Sequence, residues 1–287
     1  MITFPHAKIN LGLFVCHKRP SDGYHILQTL FYPIDWRDAL EIIPNGTTGE
    51  CRLIQTGIAI DGAPEQNLCV KAYRKLQEEC TGIPGCTIHL EKRVPFGAGL
   101  GGGSSDGAYT LVMLRDLFNL PISNERLEQI AAGMGADCAF FVRCANGLSA
   151  QYCEGIGHEL EPYGGFSLKG NWLLVIKPPF GVSTREAYSN VHPQYPATSL
   201  HELLHLPLAQ WKDQIHNDFE DSVFPLHPEL TVLKQALYNH GAVYASMSGS
   251  GSACFAIFGG KPFEKDPSEI QSWFPEGYEI NCHQALV

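Results

Sequence analysis

The stretch Pro95-Phe96-Gly97-Ala98-Gly99-Leu100-Gly101-Gly102-Gly103-Ser104-Ser105 places five glycines within seven positions. Without Cβ atoms such a run curls tightly and brings its backbone close to a ligand. From Ser104 to Asn119 the apolar residues Leu111, Leu114 and Phe118 recur at helical spacing, so the loop is expected to enter a helix at Ser104. Unpaired amides and the helix dipole favour an anion at such an entry, and successive N–H groups around a concavity form a phosphate nest. A turn that only reverses the chain does not need this many glycines.

Two common patterns overlap this stretch without their required settings. Gly97, Gly99 and Gly102 match G-x-G-x-x-G, but that dinucleotide fingerprint needs an acid closing a strand about twenty residues on. Leu117 to Ile122 instead closes a helix and contains no acid. Gly103-Ser104-Ser105-Asp106-Gly107 matches G-x-S-x-G, yet a nucleophile elbow follows a strand directly and here a glycine loop precedes it. The chain has no G-x-x-x-x-G-K-[ST], which excludes a Walker loop.

Outward from the loop, Ile9 to Cys16, Ala39 to Ile43 and Cys86 to Leu90 read as strands. Asn67 is placed to cap a helix to about Cys80, and Ser123 to open one to about Ala132. The pattern breaks around Gly164-Gly165 and resumes with an apolar strand at Trp172 to Ile176. Helices are expected near Ser199 to Leu206 and from Pro228 to His240, the second with Pro in its first turn and Gly241 after its end. Strands at Ala242 to Met247 and Ala253 to Phe258 flank a second glycine loop, Ser248-Gly249-Ser250-Gly251-Ser252. This is an α/β or α+β chain of two lobes with a boundary near residues 160 to 170.

Composition narrows the classes. Lys and Arg number 20 against 30 Asp and Glu in 287 residues, a net charge of −10, which argues against a nucleic-acid partner. The longest apolar stretch, Ile130 to Val142, is interrupted by Asp137 and falls short of the roughly 20 residues of a membrane span. The N-terminus lacks a basic-then-apolar signal pattern, and a cytoplasmic enzyme with no membrane partner is expected. The ten cysteines form no Cys-x-x-Cys pair and sit mostly in apolar runs, as small buried hydrophobes do. His201-Glu202-Leu203-Leu204-His205 matches the zinc pattern H-E-x-x-H, but no third ligand follows at a family spacing. It reads as the solvated face of an amphipathic helix, and no metal ligands are assigned.

Two further segments carry chemistry. Pro5-His6-Ala7-Lys8-Ile9-Asn10-Leu11 sets an ammonium and an amide at the head of the first strand. Gly133-Met134-Gly135-Ala136-Asp137-Cys138 sets one carboxylate in an apolar, glycine-flanked stretch, where an Asp is rare unless paired or catalytic. Capping of a backbone turn is the structural alternative for Asp137.

In this order, the segments at 5–11, 95–105 and 135–137, with the loop at 248–252, resemble the motifs of the GHMP kinase superfamily over nearly the whole chain. The likeness is greatest to the branch whose substrate carries a cytidine diphosphate group on methylerythritol. Arg19-Pro20-Ser21-Asp22-Gly23-Tyr24-His25 resembles its Asp-Gly-Tyr-His signature. The family usually has Val-Pro where Cys138-Ala139 stands, and a threonine where Ser248 or Ser250 stands.

The resemblance implies an α+β two-lobe GHMP kinase fold. Residues 1–165 would form a nucleotide-binding α/β domain, and residues 166–287 a ferredoxin-like α/β substrate domain. It implies transfer of the γ-phosphoryl of ATP, with Mg²⁺, to a substrate hydroxyl in isoprenoid precursor synthesis by a monomer or homodimer. Such a transfer depends on positioning and charge neutralisation. Pro95, Phe96, Gly97, Ala98, Gly99, Leu100, Gly101, Gly102, Gly103, Ser104 and Ser105 would hold the nucleotide. Asp137 is implied as general base and Lys8 as the cation that favours the alkoxide. Asn10 would hold substrate hydroxyls, Tyr24 and Tyr188 would sandwich the cytosine, and His25 would hydrogen-bond its edge. Tyr188 is placed by the preceding Gly181-Val182-Ser183-Thr184. Homoserine- and mevalonate-type kinases share the fold but have no base to recognise, and a non-catalytic homologue would be expected to lack Lys8 or Asp137.

Overall fold

The computed structural model describes residues 1–60, 62–263 and 266–287. Its strands are β1 (Ile2–Thr3), β2 (His6–Lys18), β3 (His25–Arg37), β4 (Ala39–Pro44), β5 (Cys51–Gly57), β6 (Cys86–Lys92), β7 (Gln151–Glu154), β8 (Glu159–Pro162), β9 (Trp172–Lys177), β10 (Tyr244–Met247), β11 (Cys254–Phe258) and β12 (Glu279–Gln284). Its helices are α1 (Leu68–Glu79), α2 (Gly102–Leu117), α3 (Asn124–Ala132), α4 (Cys138–Asn146), α5 (Thr184–Ser189), α6 (Leu200–Leu203), α7 (Trp211–Gln214), α8 (Phe219–Val223) and α9 (Pro228–Asn239). The chain divides into two compact units, each assembled from several segments. The first comprises Met1–Ala7, Trp36–Phe96 and Gly101–Ser149; the second comprises Lys8–Asp35, Gly97–Leu100 and Ala150–Val287.

In the first unit the sheet runs β1-β4-β6-β5, antiparallel except for the β5–β6 pair. Its register sets Leu40 against Leu90 and Ile42 against Ile88, all buried. Helix α1 buries Cys69, Val70, Ala72, Tyr73 and Leu76, and starts where the Asn67 side chain accepts a hydrogen bond from Cys69 N at 2.9 Å. Helix α3 starts likewise, with Ser123 Oγ accepting from Arg126 N at 3.2 Å. Helix α1 packs on α2, and both α2 and α3 pack on α4. The apolar stretch Ile130–Val142 is thus divided between two helices, and among the described residues no helix is long and apolar enough to cross a membrane.

The second unit holds two four-stranded sheets, β2-β3-β7-β8 and β10-β11-β9-β12. Strands β9 to β12 are fully antiparallel, and Leu174, Ile176, Met247, Cys254 and Ala256 join Leu230, Leu233 and Leu237 of α9 in one core. Helix α9 begins on Pro228, and Gly241, at φ +89°, follows its end in the left-handed conformation. All ten cysteines are free thiols, most of them buried.

Three of the differences from the sequence expectation have a clear physical cause. Helix α2 begins at Gly102, two residues before Ser104, because Gly101 itself takes the left-handed N-cap conformation at φ +70°. The expected helix Ser199–Leu206 contracts to Leu200–Leu203, fastened by a capping box between Ser199 and Glu202. Strand β3 spans thirteen residues that showed no strand signal, since Pro33 interrupts them and Leu30-Phe31-Tyr32 is buried on both faces rather than alternating.

The alternation of β6 has an electrostatic consequence. Cys86, Ile88 and Leu90 face inward, and the same period turns Lys92 inward, leaving it only 2 % exposed. Its ammonium donates to Asp38 Oδ2 and to Asp106 Oδ2, the latter at 2.8 Å. Asp38 Oδ1 also accepts from Arg93 N at 2.6 Å and Val94 N at 2.9 Å, so the cluster fixes the chain leaving β6 for the glycine loop. Burial drives the Asp106 carboxyl well above its ordinary range against the pull of Lys92. Burial also pulls the Lys92 ammonium down, but the two carboxylates outweigh this and hold it above its ordinary value.

The native state therefore keeps a proton on Asp106 that the unfolded chain releases near pH 3.8, so folding stability falls as pH rises above that value. The Lys92 contribution, complete below about pH 10.5, is lost in the same direction at higher pH. Asp106→Asn should flatten the decline of the urea-unfolding free energy as pH rises above about 4. Lys92→Met should cost about 3–5 kcal/mol in the same assay, because it leaves buried carboxyl groups without their cation.

Candidate active site

The glycine loop is shaped by alternating backbone handedness. Gly97, Gly99 and Gly101 lie at φ +64°, +73° and +70°, and no other loop residue has a positive φ. Alternation of this kind turns successive N–H groups toward one side, as an anion nest requires. The intervening carbonyls are engaged within the second unit. Ala98 O accepts from Ala253 N at 3.1 Å, Gly99 O from Ser248 Oγ at 3.0 Å, and Leu100 O from Lys8 N at 2.9 Å. A Cβ on Gly99 would stand 1.9 Å from Ser248 O, so this position admits no side chain.

In the first unit, Gly101 opens α2 with no side-chain cap. The first-turn amides are therefore left for an anion, as at any uncapped helix start. Ser105 Oγ is fully buried one turn in and has no partner among the described residues. Gly103-Ser104-Ser105-Asp106-Gly107 lies inside this helix, so it does not form the strand-to-helix turn of a nucleophile elbow.

Asp137 immediately precedes α4, half-buried and in helical conformation (φ −83°, ψ −10°), with no cap bond from its side chain. A Cβ on Gly101 would lie 3.4 Å from Asp137 Oδ2, so the carboxylate faces the entry to α2. The Cys138 thiol hydrogen-bonds Ser104, and burial pushes its pKa up to about 12, which leaves it a packing group. Among the described residues, no three His, Cys, Asp or Glu side chains gather into a metal-binding group. His201 and His205 lie 5.5 Å apart between ring centroids, but α6 ends at Leu203 and both histidines are exposed.

The second unit carries Lys8 and Asn10 on β2. Lys8 is 3 % exposed, its Nζ 2.6 Å from Asn10 Oδ1 and 5.1 Å above the Phe31 ring. Asn10 Nδ2 donates to Thr29 Oγ1 at 2.8 Å, and Thr29 Oγ1 to Gly12 O at 2.6 Å. This chain fixes the Asn10 amide and the direction of the ammonium. Thr29 was not legible as a site residue, because its partners lie 19 and 17 residues away across a strand pair.

The β2–β3 turn is held by Arg19 N donating to Tyr24 O at 2.7 Å and Tyr24 N to Asp22 Oδ1 at 3.1 Å, with Gly23 at φ +76°. It leaves Tyr24 60 % exposed. His25 stacks on Tyr188 of α5 at 4.7 Å between centroids and 23° between planes, and Tyr188 meets Phe219 edge-on. Burial, aided by Lys18, lowers the His25 pKa, so its neutral ring keeps one donor and one acceptor nitrogen.

Two glycines separate the roles of space and conformation. Gly99→Ala should weaken nucleotide binding at least tenfold by calorimetry, since Ser248 and the loop must move apart. Gly103 is helical with open space around its Cβ position, so Gly103→Ala should raise stability by up to about 1 kcal/mol in thermal unfolding.

The profile described as "GHMP kinases N terminal domain" matches residues 67–145, and "GHMP kinases C terminal" matches 199–276. A curated protein of Bacteroides fragilis (strain YCH46), named 4-diphosphocytidyl-2-C-methyl-D-erythritol kinase, is 50% identical over 266 residues, 92% of this chain and 94% of its own. A protein of the same name from Bacteroides thetaiotaomicron is 51% identical over 259 residues, 90% of this chain and 92% of its own. A crystal structure titled 4-(cytidine 5'-diphospho)-2C-methyl-D-erythritol kinase superposes with a TM-score of 0.78 at 30% identity, covering 98% of each chain. With these motifs, this fold and identity of this extent, the chain belongs to the GHMP kinases and, within them, to the 4-diphosphocytidyl-2-C-methyl-D-erythritol kinase family.

Proposed function

We propose that this chain transfers the γ-phosphoryl group of ATP to the 2-hydroxyl of 4-diphosphocytidyl-2-C-methyl-D-erythritol. The observation that carries this reading is half-identity to kinases of that name across nine-tenths of the chain, with the motifs at 5–11, 95–105 and 135–137 all present. In this reading 1–165 and 166–287 are the two sequence domains.

The amides of Gly97 to Ser105 hold the ATP phosphates, with the uncapped start of α2 contributing its dipole. Asp137 takes the proton from the 2-hydroxyl as the oxygen bonds to the γ-phosphorus. The bond from that phosphorus to the bridging oxygen of ADP breaks, and ADP leaves. Lys8, oriented by Asn10 and Thr29, offsets the negative charge that builds on the attacking oxygen. Asn10 also contacts the substrate hydroxyls. Tyr24 and Tyr188 take the cytosine between them, and the neutral His25 ring reads its edge with one donor and one acceptor.

Mg²⁺ fits the donors present. The Ser105 hydroxyl, buried and with no partner among the described residues, would be a hard oxygen ligand in the first turn of α2, and this cation takes few protein ligands beside nucleotide phosphates. Bound there, Mg²⁺ would neutralise charge on the transferring phosphoryl group.

ADP release with Mg·ATP should be seen with 4-diphosphocytidyl-methylerythritol and not with methylerythritol phosphate, homoserine or mevalonate. Turnover of homoserine or mevalonate instead would keep the fold and reject the substrate. Asp137→Asn should lower turnover at least about a hundredfold while ATP affinity, read by calorimetry, stays within twofold. Tyr24→Ala should raise KM for the cytidylated substrate roughly five- to hundredfold, the range of one lost base stack.

A further inference from the structure

Residues 216–220 carry buried polar groups that bond mainly to the backbone of segments already tied to the chemistry. Asn217, 1 % exposed, donates through Nδ2 to Met247 O at 2.9 Å and to Gly249 O at 2.8 Å, while its Oδ1 accepts from Phe219 N at 3.0 Å. Its amide thus spans Ser248. Glu220 Oε1 accepts from Met247 N at 2.8 Å and Ser246 Oγ at 2.9 Å, and its Oε2 accepts from Lys234 Nζ at 2.5 Å. The Met247 N–H and C=O are therefore both set from this one segment.

The same segment grips β2. Asp218 Oδ2 accepts from Val15 N at 2.6 Å, Asp218 N donates to Leu13 O at 2.9 Å, and Leu13 N donates to His216 O at 3.0 Å. Lys8 and Asn10 lie a few residues upstream on that strand. The loop that Asn217 holds in turn grips the glycine loop, through Ser248 Oγ to Gly99 O and Ala253 N to Ala98 O. Burying an amide and a carboxylate is costly unless their hydrogen bonds are met, and here three of their six bonds go to the backbone of Met247 and Gly249.

We propose that Asn217 is a positioning residue, setting the 248–252 loop and through it the nucleotide-binding backbone at Ala98–Gly99, while Glu220 holds the end of β10 that enters the loop. Asn217 touches neither substrate nor reacting atoms in this role. The inference rests on the kinase reading above for its kinetic readout, but not for its structural one.

The test compares Asn217→Ala, Asn217→Asp and Ser222→Ala. Aspartate keeps the shape of Asn217 but cannot donate to two carbonyls when ionised. Ser222→Ala removes buried hydrogen bonds of the adjoining helix α8, to Ala187 O and Phe219 O, away from the loop. Both Asn217 variants should raise KM for ATP at least tenfold, with a smaller change in kcat. Both should also speed hydrogen exchange at the Ser248, Gly251 and Ala253 amides at least tenfold, leaving the β9 amides unchanged. Ser222→Ala should lower the melting temperature and alter neither readout.

Wild-type KM and loop exchange in Asn217→Asp would overturn the proposal, as would equal shifts in Ser222→Ala. If Asn217→Ala fails to fold, Asn217→Asp decides alone. A wild-type protein without kinase turnover would reject the functional reading, and the exchange measurements would still decide the positioning one.

Discussion

The site depends on one backbone constraint, that the carbonyls of Ala98, Gly99 and Leu100 are each taken by a donor from elsewhere in the chain. A glycine-rich loop left to itself samples many conformations, because glycine loses more freedom on folding than any other residue. Three hydrogen bonds from Ala253, Ser248 and Lys8, together with the alternating left-handed glycines, select one of them. With its carbonyls engaged, the loop has its N–H groups left to present, and a polyanion is the complementary ligand. The bond to Leu100 O comes from the backbone of Lys8, so the residue that supplies the ammonium also orders the phosphate loop.

Buried charge is handled in one way throughout. Lys92, Lys8 and Glu220 are each less than 9 % exposed, and each is met by specific partners. A lone charge so placed would be untenable, and truncating one member of such a group costs more than the group contributes as a whole. The partners are carboxylates, a side-chain amide, a backbone amide, a hydroxyl and an ammonium, which fix direction as well as charge. In a reaction governed by placement of a phosphoryl group and an incoming hydroxyl, that fixing of direction is the useful property.

Much of this was legible in the chain. The Pro95–Ser105 glycine cluster, the Asn67 and Ser123 caps, the alternation of Cys86–Leu90 and the Pro228–Gly241 helix limits each follow from local chemistry, and local chemistry survives folding. What failed to show was non-local. Strand β3 is buried on both faces and interrupted by Pro33, so neither alternation nor composition marked it. Thr29 looks like any strand threonine until Asn10, nineteen positions away, is set beside it. Asn217 and Glu220 resemble ordinary helix-end polar residues until their partners near residue 247 are seen.

By itself the sequence determined the chemistry on offer: an anion-binding glycine loop, one ammonium, one carboxylate and an exposed tyrosine beside a histidine, in an order matching a known kinase family. Residue identity and short spacing set these, because turns, caps and periodicity act over a few bonds. Tertiary structure decided which groups meet. It placed Asn10, the partner of Lys8, on Thr29, laid the Asp137 carboxylate against Gly101, stacked His25 on Tyr188 and turned Lys92 toward two carboxylates. Those meetings depend on strand register and helix packing between segments up to 163 residues apart, as for His25 and Tyr188. No local pattern encodes such distances, because their free energy comes from the burial of a shared core.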